Sequence, residues 1–179
     1  MFTEIRRNIG IDITRMLFRK KKVQTMSFSH IFSNAKTALV IVPENPDHRS
    51  VVMPILTLLQ NKFQGTKLTL VAHETFRNLA SAFLKSTVFV IREEHLNFFF
   101  LPKKSEIRSL LSQKFDVVVD LNVTPVPAAA YLCRGINAPL KVGFTKDHAD
   151  AFYNFQFNIT SKKNAKSCYD QLFRTLSMF

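Results

Sequence analysis

The stretch Phe115-Asp-Val-Val-Val-Asp120 gives the clearest indication of how this chain folds. Three consecutive valines are typical of a buried β-strand, and an acidic residue stands at the carboxyl end of the run. Two earlier runs, Thr37-Ala-Leu-Val-Ile-Val42 and Lys67-Leu-Thr-Leu-Val-Ala72, have the same apolar, β-branched character. The pattern therefore predicts several strands buried within one sheet.

Helical patterns separate these predicted strands. Apolar residues recur at helical intervals between Val51 and Leu59, and Ser105–Gln113 predicts a second helix. Further strands are predicted at Thr87–Ile91 and Leu140–Phe144, and further helices at Phe76–Leu84, at about Val126–Arg134 and from about Asn164 onwards; Leu96–Leu101 and Phe152–Ile159 are apolar segments of undecided type. The alternation indicates an α/β Rossmann-like fold, with a mostly parallel sheet and helices on both faces.

A ligand in such a fold binds beyond the carboxyl ends of the strands, near the point where the strand order reverses. The loops after Val42, Ala72, Ile91 and Asp120 are therefore the expected site.

Three regions are predicted along the chain. Residues 1–22 form a basic amphipathic helix that either packs on the domain or docks on a membrane or a partner, although Gly10 weakens it. Residues 23–35 form a polar linker, and residues 36–179 form a single domain that ends in a helix. The basic residues of the first region are Arg6, Arg7, Arg15, Arg19, Lys20, Lys21 and Lys22.

The composition favours acidic partners inside the cell. Lys and Arg number 25 against 13 acidic residues, a formal charge of +12, which suits an acidic protein, an anionic lipid surface or nucleic acid. Cys133 and Cys168 form no paired motif, and we expect each to be a reduced structural thiol. Without a membrane-spanning run or a signal peptide, we expect a cytoplasmic protein, free or peripheral on the cytoplasmic face of the inner membrane.

Motifs for metal, nucleotide and hydrolase chemistry are missing. The five histidines are dispersed and predict no metal site. The four glycines form neither a dinucleotide nor a triphosphate loop, so no cofactor is expected, and there is no nucleophile elbow. The lack of any known nucleic-acid module ranks nucleic acid third among the candidate partners.

Phenylalanine is abundant, with 18 residues and no tryptophan. Core packing explains many of them, but two groups lie beside lysines and could form exposed apolar patches rimmed by positive charge. These candidate docking residues are Phe98, Phe99, Phe100, Lys103 and Lys104, together with Lys162 and Lys163 after the aromatic segment Phe152–Phe157.

Two blocks of sequence resemble the N-terminal domain of glycosyltransferase family 9, the bacterial lipopolysaccharide heptosyltransferases. The first is Ala38-Leu-Val-Ile-Val42 with Val51-Val-Met-Pro-Ile-Leu56, and Lys67-Leu-Thr-Leu-Val71 is similar to the next strand. The second and more specific block is Phe115–Asn122 with Ala128-Ala-Ala-Tyr-Leu-Cys-Arg-Gly-Ile-Asn-Ala-Pro-Leu-Lys-Val-Gly-Phe144. The resemblance implies a Rossmann-like acceptor domain.

The same resemblance exposes two departures. The family has a Gly-Asp pair after its first strand, and that aspartate is taken as the base that activates the acceptor hydroxyl. Here the loop reads Pro43-Glu-Asn-Pro-Asp-His-Arg-Ser50, and counting back from Pro54 puts His48 rather than Asp47 in the place of the aspartate. The family also binds its nucleotide-sugar donor mainly in a second domain, for which this chain has no counterpart.

We therefore expect a degenerate, truncated relative, a pseudoenzyme that acts as a non-catalytic scaffold or accessory subunit. It would dock by its basic surface on an acidic, membrane-associated protein complex or on the cytoplasmic membrane face. The alternative is the acceptor half of a split glycosyltransferase, in which Asp47, His48 and Asp120 lie nearest the acceptor and a partner subunit binds the nucleotide sugar.

Overall fold

A parallel β-sheet forms the centre of the protein. The computed structural model describes residues 2–19, 27–63, 68–76, 78, 82–158 and 165–179. Its strands are β1 (Ala38–Ile41), β2 (Leu68–His73), β3 (Thr87–Ile91), β4 (Val117–Asp120), β5 (Leu140–Phe144) and β6 (Phe155–Phe157). They lie in the order β3-β2-β1-β4-β5-β6, and every neighbouring pair is parallel. The Rossmann-like fold predicted from the sequence is confirmed.

Helices cover both faces of this sheet. The helices are α1 (Phe2–Leu17), α2 (Phe28–Asn34), α3 (Arg49–Lys62), α4 (Lys104–Leu111), α5 (Pro127–Gly135) and α6 (Ala165–Leu176). One core lies between the sheet and α2, α3 and α6, and the other lies between the sheet and α1, α4 and α5. Alternate residues of each central strand enter opposite cores: Val40 belongs to the first and Leu39 and Ile41 to the second.

The register of the sheet is fixed at its centre by Asp116. Its Oδ2 accepts hydrogen bonds from the backbone N–H of Lys36 and Thr37 and from the Thr37 hydroxyl, at 2.8 to 3.0 Å. These bonds join the entry of β1 to the entry of β4, where Ala38 lies opposite Val117. Two segments 79 residues apart in the chain are thereby aligned before their strands begin.

The linker predicted over residues 23–35 is wrong in part. Phe28 and Phe32 lie one helical turn apart in α2, and both are buried in the first core. Their rings stack on each other with centroids 5.2 Å apart. The serines around them make the segment look polar, but burial of two aromatic rings stabilises a short helix by several kcal/mol, on the order of 3. Residues 23–26 lie outside the described residues.

The two undecided segments have different structures. Leu96–Leu101 is a tight loop, in which Leu96 and Pro102 form an isolated bridge. The aromatic segment contributes edge strand β6, whose Phe157 joins the first core. Of the helix predicted over Phe76–Leu84, residues 77 and 79–81 lie outside the described residues, and Phe76 itself ends a short 3-10 turn.

Candidate functional site

The loops at the carboxyl ends of β1 to β4 surround a small cavity. Val42, His73, Ile91 and Asn122 line it from the ends of the strands and the following loops. The cavity measures about 40 Å³, which is room for one or two water molecules and far less than a small-molecule site occupies. Arg7 of α1 and Phe100 also line it, so the N-terminal helix and the 96–102 loop fill the place where a ligand is expected.

A two-pronged ion pair holds α1 over this cavity. Arg7 Nη2 donates to Glu44 Oε1 at 2.7 Å, and Arg7 Nη1 donates to Glu44 Oε2 at 2.9 Å. Both side chains are about 30% exposed. Glu44 is itself fixed, because its backbone N–H donates to Asn122 Oδ1 at 2.8 Å. The helix is therefore tied to the loop after β1, where the glycosyltransferase resemblance places an acceptor site.

The N-terminal helix α1 packs against the phenylalanine triplet, Phe98–Phe100. Arg6 donates from Nε to the Phe98 carbonyl at 2.8 Å, and its guanidinium lies 4.0 Å from the centre of the Phe98 ring and 4.6 Å from that of Phe100. Phe99 is half-buried against the second core. Of the predicted docking residues, Arg6, Arg7, Phe99 and Phe100 thus make contacts within the chain, and Phe98, 57% exposed, is the member of the triplet that faces solvent.

Gly10 allows this close approach. A Cβ atom at position 10 would lie 2.3 Å from the carbonyl oxygen of Phe99 and 3.0 Å from Pro127. The sequence presents Gly10 as a weakness of the helix, whereas the structure uses it as the contact point of the helix with its own domain.

Phe100 adopts a left-handed backbone with φ of 58°, which a non-glycine residue accepts only when its surroundings impose it.

Asp120 occupies the centre of a buried polar network. Its Oδ1 accepts from the backbone N–H and the side-chain amide of Asn122. Its Oδ2 accepts from Lys146 Nζ at 2.9 Å and from the Tyr153 hydroxyl at 2.5 Å. Each oxygen accepts two hydrogen bonds, and the carboxylate is fully buried. Burial and the neighbouring carboxylate raise the pKa of Tyr153 well above its ordinary value, so the phenol remains a donor. This geometry gives Asp120 a structural role and no access to an acceptor.

Asp47 and His48 lie in a short 3-10 turn before α3. Asp47 is exposed, and its backbone N–H donates to the Asn45 side chain at 2.9 Å. His48 Nδ1 lies 3.2 Å from the Tyr169 hydroxyl, which also donates to the Leu121 carbonyl at 2.7 Å. Since a phenol has one proton to donate, Nδ1 of His48 is the donor in their contact and Nε2 carries the lone pair. Burial lowers the pKa of His48, with the Asp47 charge opposing this effect, so the neutral imidazole is favoured.

The remaining predicted docking residues are scattered. Arg15 pairs with Asp12 at 3.0 Å, and Arg19 lies at the exposed end of α1. Lys103 donates to the Glu94 carbonyl at 2.8 Å, and Lys104 begins α4 in solvent. Lys20, Lys21, Lys22, Lys162 and Lys163 lie outside the described residues.

Sequence reasoning missed the partners that organise the site. Glu44, Asn122, Lys146 and Tyr153 come from four separate loops or strand ends, and no spacing in the sequence joins them. The buried end of β4 was the one available signal, because an aspartate at that position needs donors from neighbouring loops.

The described residues hold neither a metal-binding cluster nor a helix fit to span a membrane. No group of three or more histidine, cysteine, aspartate or glutamate side chains there is arranged to hold a metal ion. None of the helices in the described ranges has the length and apolar character that spanning a bilayer requires.

Solved structures share this fold. The E. coli heptosyltransferase WaaC, solved with ADP, matches with a TM-score of 0.58 and 21% identity over 78% of this chain and 46% of the WaaC chain. A family 9 glycosyl transferase from Veillonella parvula matches with a TM-score of 0.59 and 17% identity over 80% of this chain and 42% of its own. The chain thus spans less than half the length of either protein, and at these identities the likeness concerns the fold.

Sequence comparison gives the family. No curated protein matches this chain significantly. A family described as "Family of unknown function (DUF6913)" matches residues 12–179, which is nearly the whole sequence. The protein therefore belongs to the DUF6913 family and has the fold of one half of a family 9 glycosyltransferase.

Proposed function

We propose that this protein is a non-catalytic docking module, built on a glycosyltransferase-like half-domain, that binds an acidic protein complex or the cytoplasmic face of a membrane. The observation that carries the proposal is the closure of the strand-end cavity. Arg7, Glu44 and Phe100 reduce it to about 40 Å³, whereas a site for a sugar or nucleotide needs roughly 300 Å³ or more.

The groups that would catalyse transfer support the same proposal. Asp120 is enclosed by its four hydrogen bonds. Asp47 is an exposed side chain that lies outside the cavity lining. A general base must lie within hydrogen-bond reach of the proton that it removes, and neither carboxylate lines the strand-end cavity.

The outward face of α1 supports docking. Phe2, Ile5, Ile9 and Met16 are exposed there, although the same helix buries Gly10, Ile11 and Thr14. Exposed apolar side chains gathered on one surface mark an interaction site more often than single ones do. With 25 basic against 13 acidic residues, the chain carries the charge that an acidic partner requires.

Titration of the purified protein with ADP and with an ADP-sugar tests the absence of a nucleotide site. We expect no heat and no chemical-shift change for either compound, and no sugar release on prolonged incubation. Arg7→Ala is titrated alongside the wild-type protein for comparison, because it removes the ion pair that holds α1 over the cavity. Sugar transfer by the wild-type protein alone would overturn the proposal.

Affinity capture from gently solubilised membranes and from cytosol tests the docking itself. Capture dominated by basic side chains should weaken as salt rises, because exposed charges are screened over about 8 to 10 Å at physiological ionic strength. Salt-insensitive capture would assign the binding to the apolar side chains, and the absence of any stoichiometric partner or membrane association would contradict the proposal.

A second candidate is the acceptor half of a split glycosyltransferase. His48 is the observation that favours it, since a neutral imidazole with Nδ1 bonded to Tyr169 leaves Nε2 free to take a proton from a hydroxyl. His48 also stands where the family resemblance puts the catalytic aspartate. Capture of a chain that binds a nucleotide sugar, with transfer activity only in the mixture and lost in His48→Asn, would favour this candidate over the docking module.

A further inference from the structure

The N-terminal helix has two different faces, and the larger apolar side chains are on the outer one. Phe2, Ile5, Ile9 and Met16 follow one another at helical spacing and form one stripe along α1, which we call the outer stripe. Met16 is 77% exposed. Phe98 extends the stripe, because its ring makes an edge contact with the ring of Phe2, with centroids 6.2 Å apart. The inner face contacts the domain through Gly10, Ile11 and Thr14.

An arginine-lined groove runs beside the outer stripe. It is an open groove of about 640 Å³, lined by Asp12, Arg15, Met16, Phe18, Arg19, Arg134 and Ala151. Arg134 is 6% exposed, and its Nη2 donates to the Phe18 carbonyl at 2.9 Å. The positive charge of this groove therefore comes from the buried Arg134 as well as from two exposed arginines, Arg15 in α1 and Arg19 just after it.

Acidic side chains are scarce along this arginine-lined groove. Among the described residues that line the groove, Asp12 is the one acidic side chain, and Arg15 pairs with it at 3.0 Å. The groove thus has three guanidinium groups for one carboxylate. Guanidinium groups match phosphate oxygens in geometry as well as in charge.

We infer that this face of α1 lies on an anionic phospholipid membrane, with the outer stripe among the acyl chains and the arginine groove around phosphate headgroups. This inference rests on the proposed docking function and names its partner. The apolar side chains are mainly aliphatic and stand on a convex helix surface, which suits an interfacial helix. The aliphatic stripe and the neighbouring guanidinium groups together match a membrane interface, where acyl chains and phosphate groups lie side by side.

Vesicle flotation with the full chain tests the inference. Vesicles of phosphatidylcholine alone are compared with vesicles that also contain phosphatidylglycerol. We expect the wild-type protein to float with the anionic vesicles only. Arg15→Gln with Arg19→Gln should weaken this partitioning about 25-fold, since each surface arginine contributes about fivefold. Ile9→Asp should abolish it, because it places a charge within the outer stripe.

Matched variants on other surfaces separate these effects from a general loss of fold or charge. Arg49→Gln with Arg174→Gln removes the same charge from α3 and α6, on the opposite face of the sheet. Leu84→Asp places a charge at an apolar side chain that is 84% exposed outside α1. Both should partition like the wild-type protein, and circular dichroism should report the same helix content for all four variants.

The possible outcomes distinguish the lipid inference from the docking function. Lack of flotation with any vesicle, equal binding to neutral vesicles, or equal losses in the matched variants would overturn the lipid inference. Capture of an acidic protein in place of flotation would overturn it as well and leave the docking function standing. Sugar transfer by the chain alone would instead remove the docking function, whatever the vesicles show.

Discussion

Arg7 and Glu44 both line the strand-end cavity and are joined by two parallel hydrogen bonds of 2.7 and 2.9 Å. One residue belongs to the N-terminal helix and the other to the loop after the central strand, so the pair ties an appended helix to the most interior part of the sheet. A helix fastened in this way belongs to the domain even though most of its apolar side chains face outward.

Replacing Arg7 by alanine should lower the free energy of unfolding by about 1 kcal/mol, because a bidentate, part-buried pair contributes more than an exposed one. Urea denaturation measures the change. Arg15→Ala is the control, since it breaks the exposed pair with Asp12 and should cost less than about 0.5 kcal/mol. Equal costs for the two variants would mean that the Arg7 pair does not fasten the helix.

Gly10→Ala should destabilise the protein by about 1 to 3 kcal/mol, because the new Cβ would lie 2.3 Å from the Phe99 carbonyl oxygen and force α1 outward. Helix propensity alone predicts the opposite sign, a gain of about 1 kcal/mol. Thermal and urea unfolding therefore decide between a packed and a detached helix. Asn8→Ala, at an exposed position of the same helix, should be neutral or slightly stabilising.

Asp120→Asn should cost about 3 to 5 kcal/mol, because it leaves the ammonium of Lys146 buried without its counter-charge. The matched change Asp147→Asn, at an exposed residue of the neighbouring loop, should stay within about 0.5 kcal/mol. Urea denaturation of both variants measures the difference. A small effect at Asp120 would show that the network of Lys146 and Tyr153 does not hold the ends of β4 and β5 together.

His48 should make the stability depend on pH. Burial lowers its pKa in the folded state below the ordinary value of 6.5, so the unfolded chain takes up the proton first. The contribution of the neutral imidazole is therefore complete above about pH 6.5 and is lost as the pH falls through the lowered value.

The stability advantage of the wild-type protein over His48→Asn should accordingly shrink between about pH 7.5 and about pH 5. Urea midpoints at the two pH values measure this advantage. The control is Ser50→Asn, an exposed neighbouring position that carries no titrating group. If the advantage of the wild type were constant with pH, His48 would not be held neutral by its burial against Tyr169.

The sheet could be predicted from the sequence because buried parallel strands leave a local pattern. The run Leu140–Phe144 was predicted with the bounds that the structure has, and Thr87–Ile91 likewise. The strand ends that the sequence predicts as a site line the small cavity. These features depend on the apolar character of consecutive residues, which is visible without any knowledge of tertiary contacts.

The closure of the site could not be predicted in this way. It depends on Arg7 meeting Glu44 across 37 positions of the chain and on the missing side chain of Gly10, which reads as a helix weakness until Phe99 is known to lie against it. The charge of Asp120 at the end of a strand suggests a residue near the acceptor. Its partners Lys146 and Tyr153, which give it a structural role, lie 26 and 33 positions away in the sequence. Side-chain pairs between residues so far apart in the sequence arise from the fold, and a local sequence pattern does not indicate them.

The alignment of β1 with β4 has a consequence for synthesis of the protein. β1 lies at the centre of the sheet, but its second neighbour, Val117–Asp120, emerges from the ribosome 79 residues after it. Until then one edge of Ala38–Ile41 has no strand beside it, and a bare apolar edge is a template for pairing with other chains. We therefore expect the nascent chain to be prone to aggregation throughout that interval, and slowing translation before residue 117 should increase it.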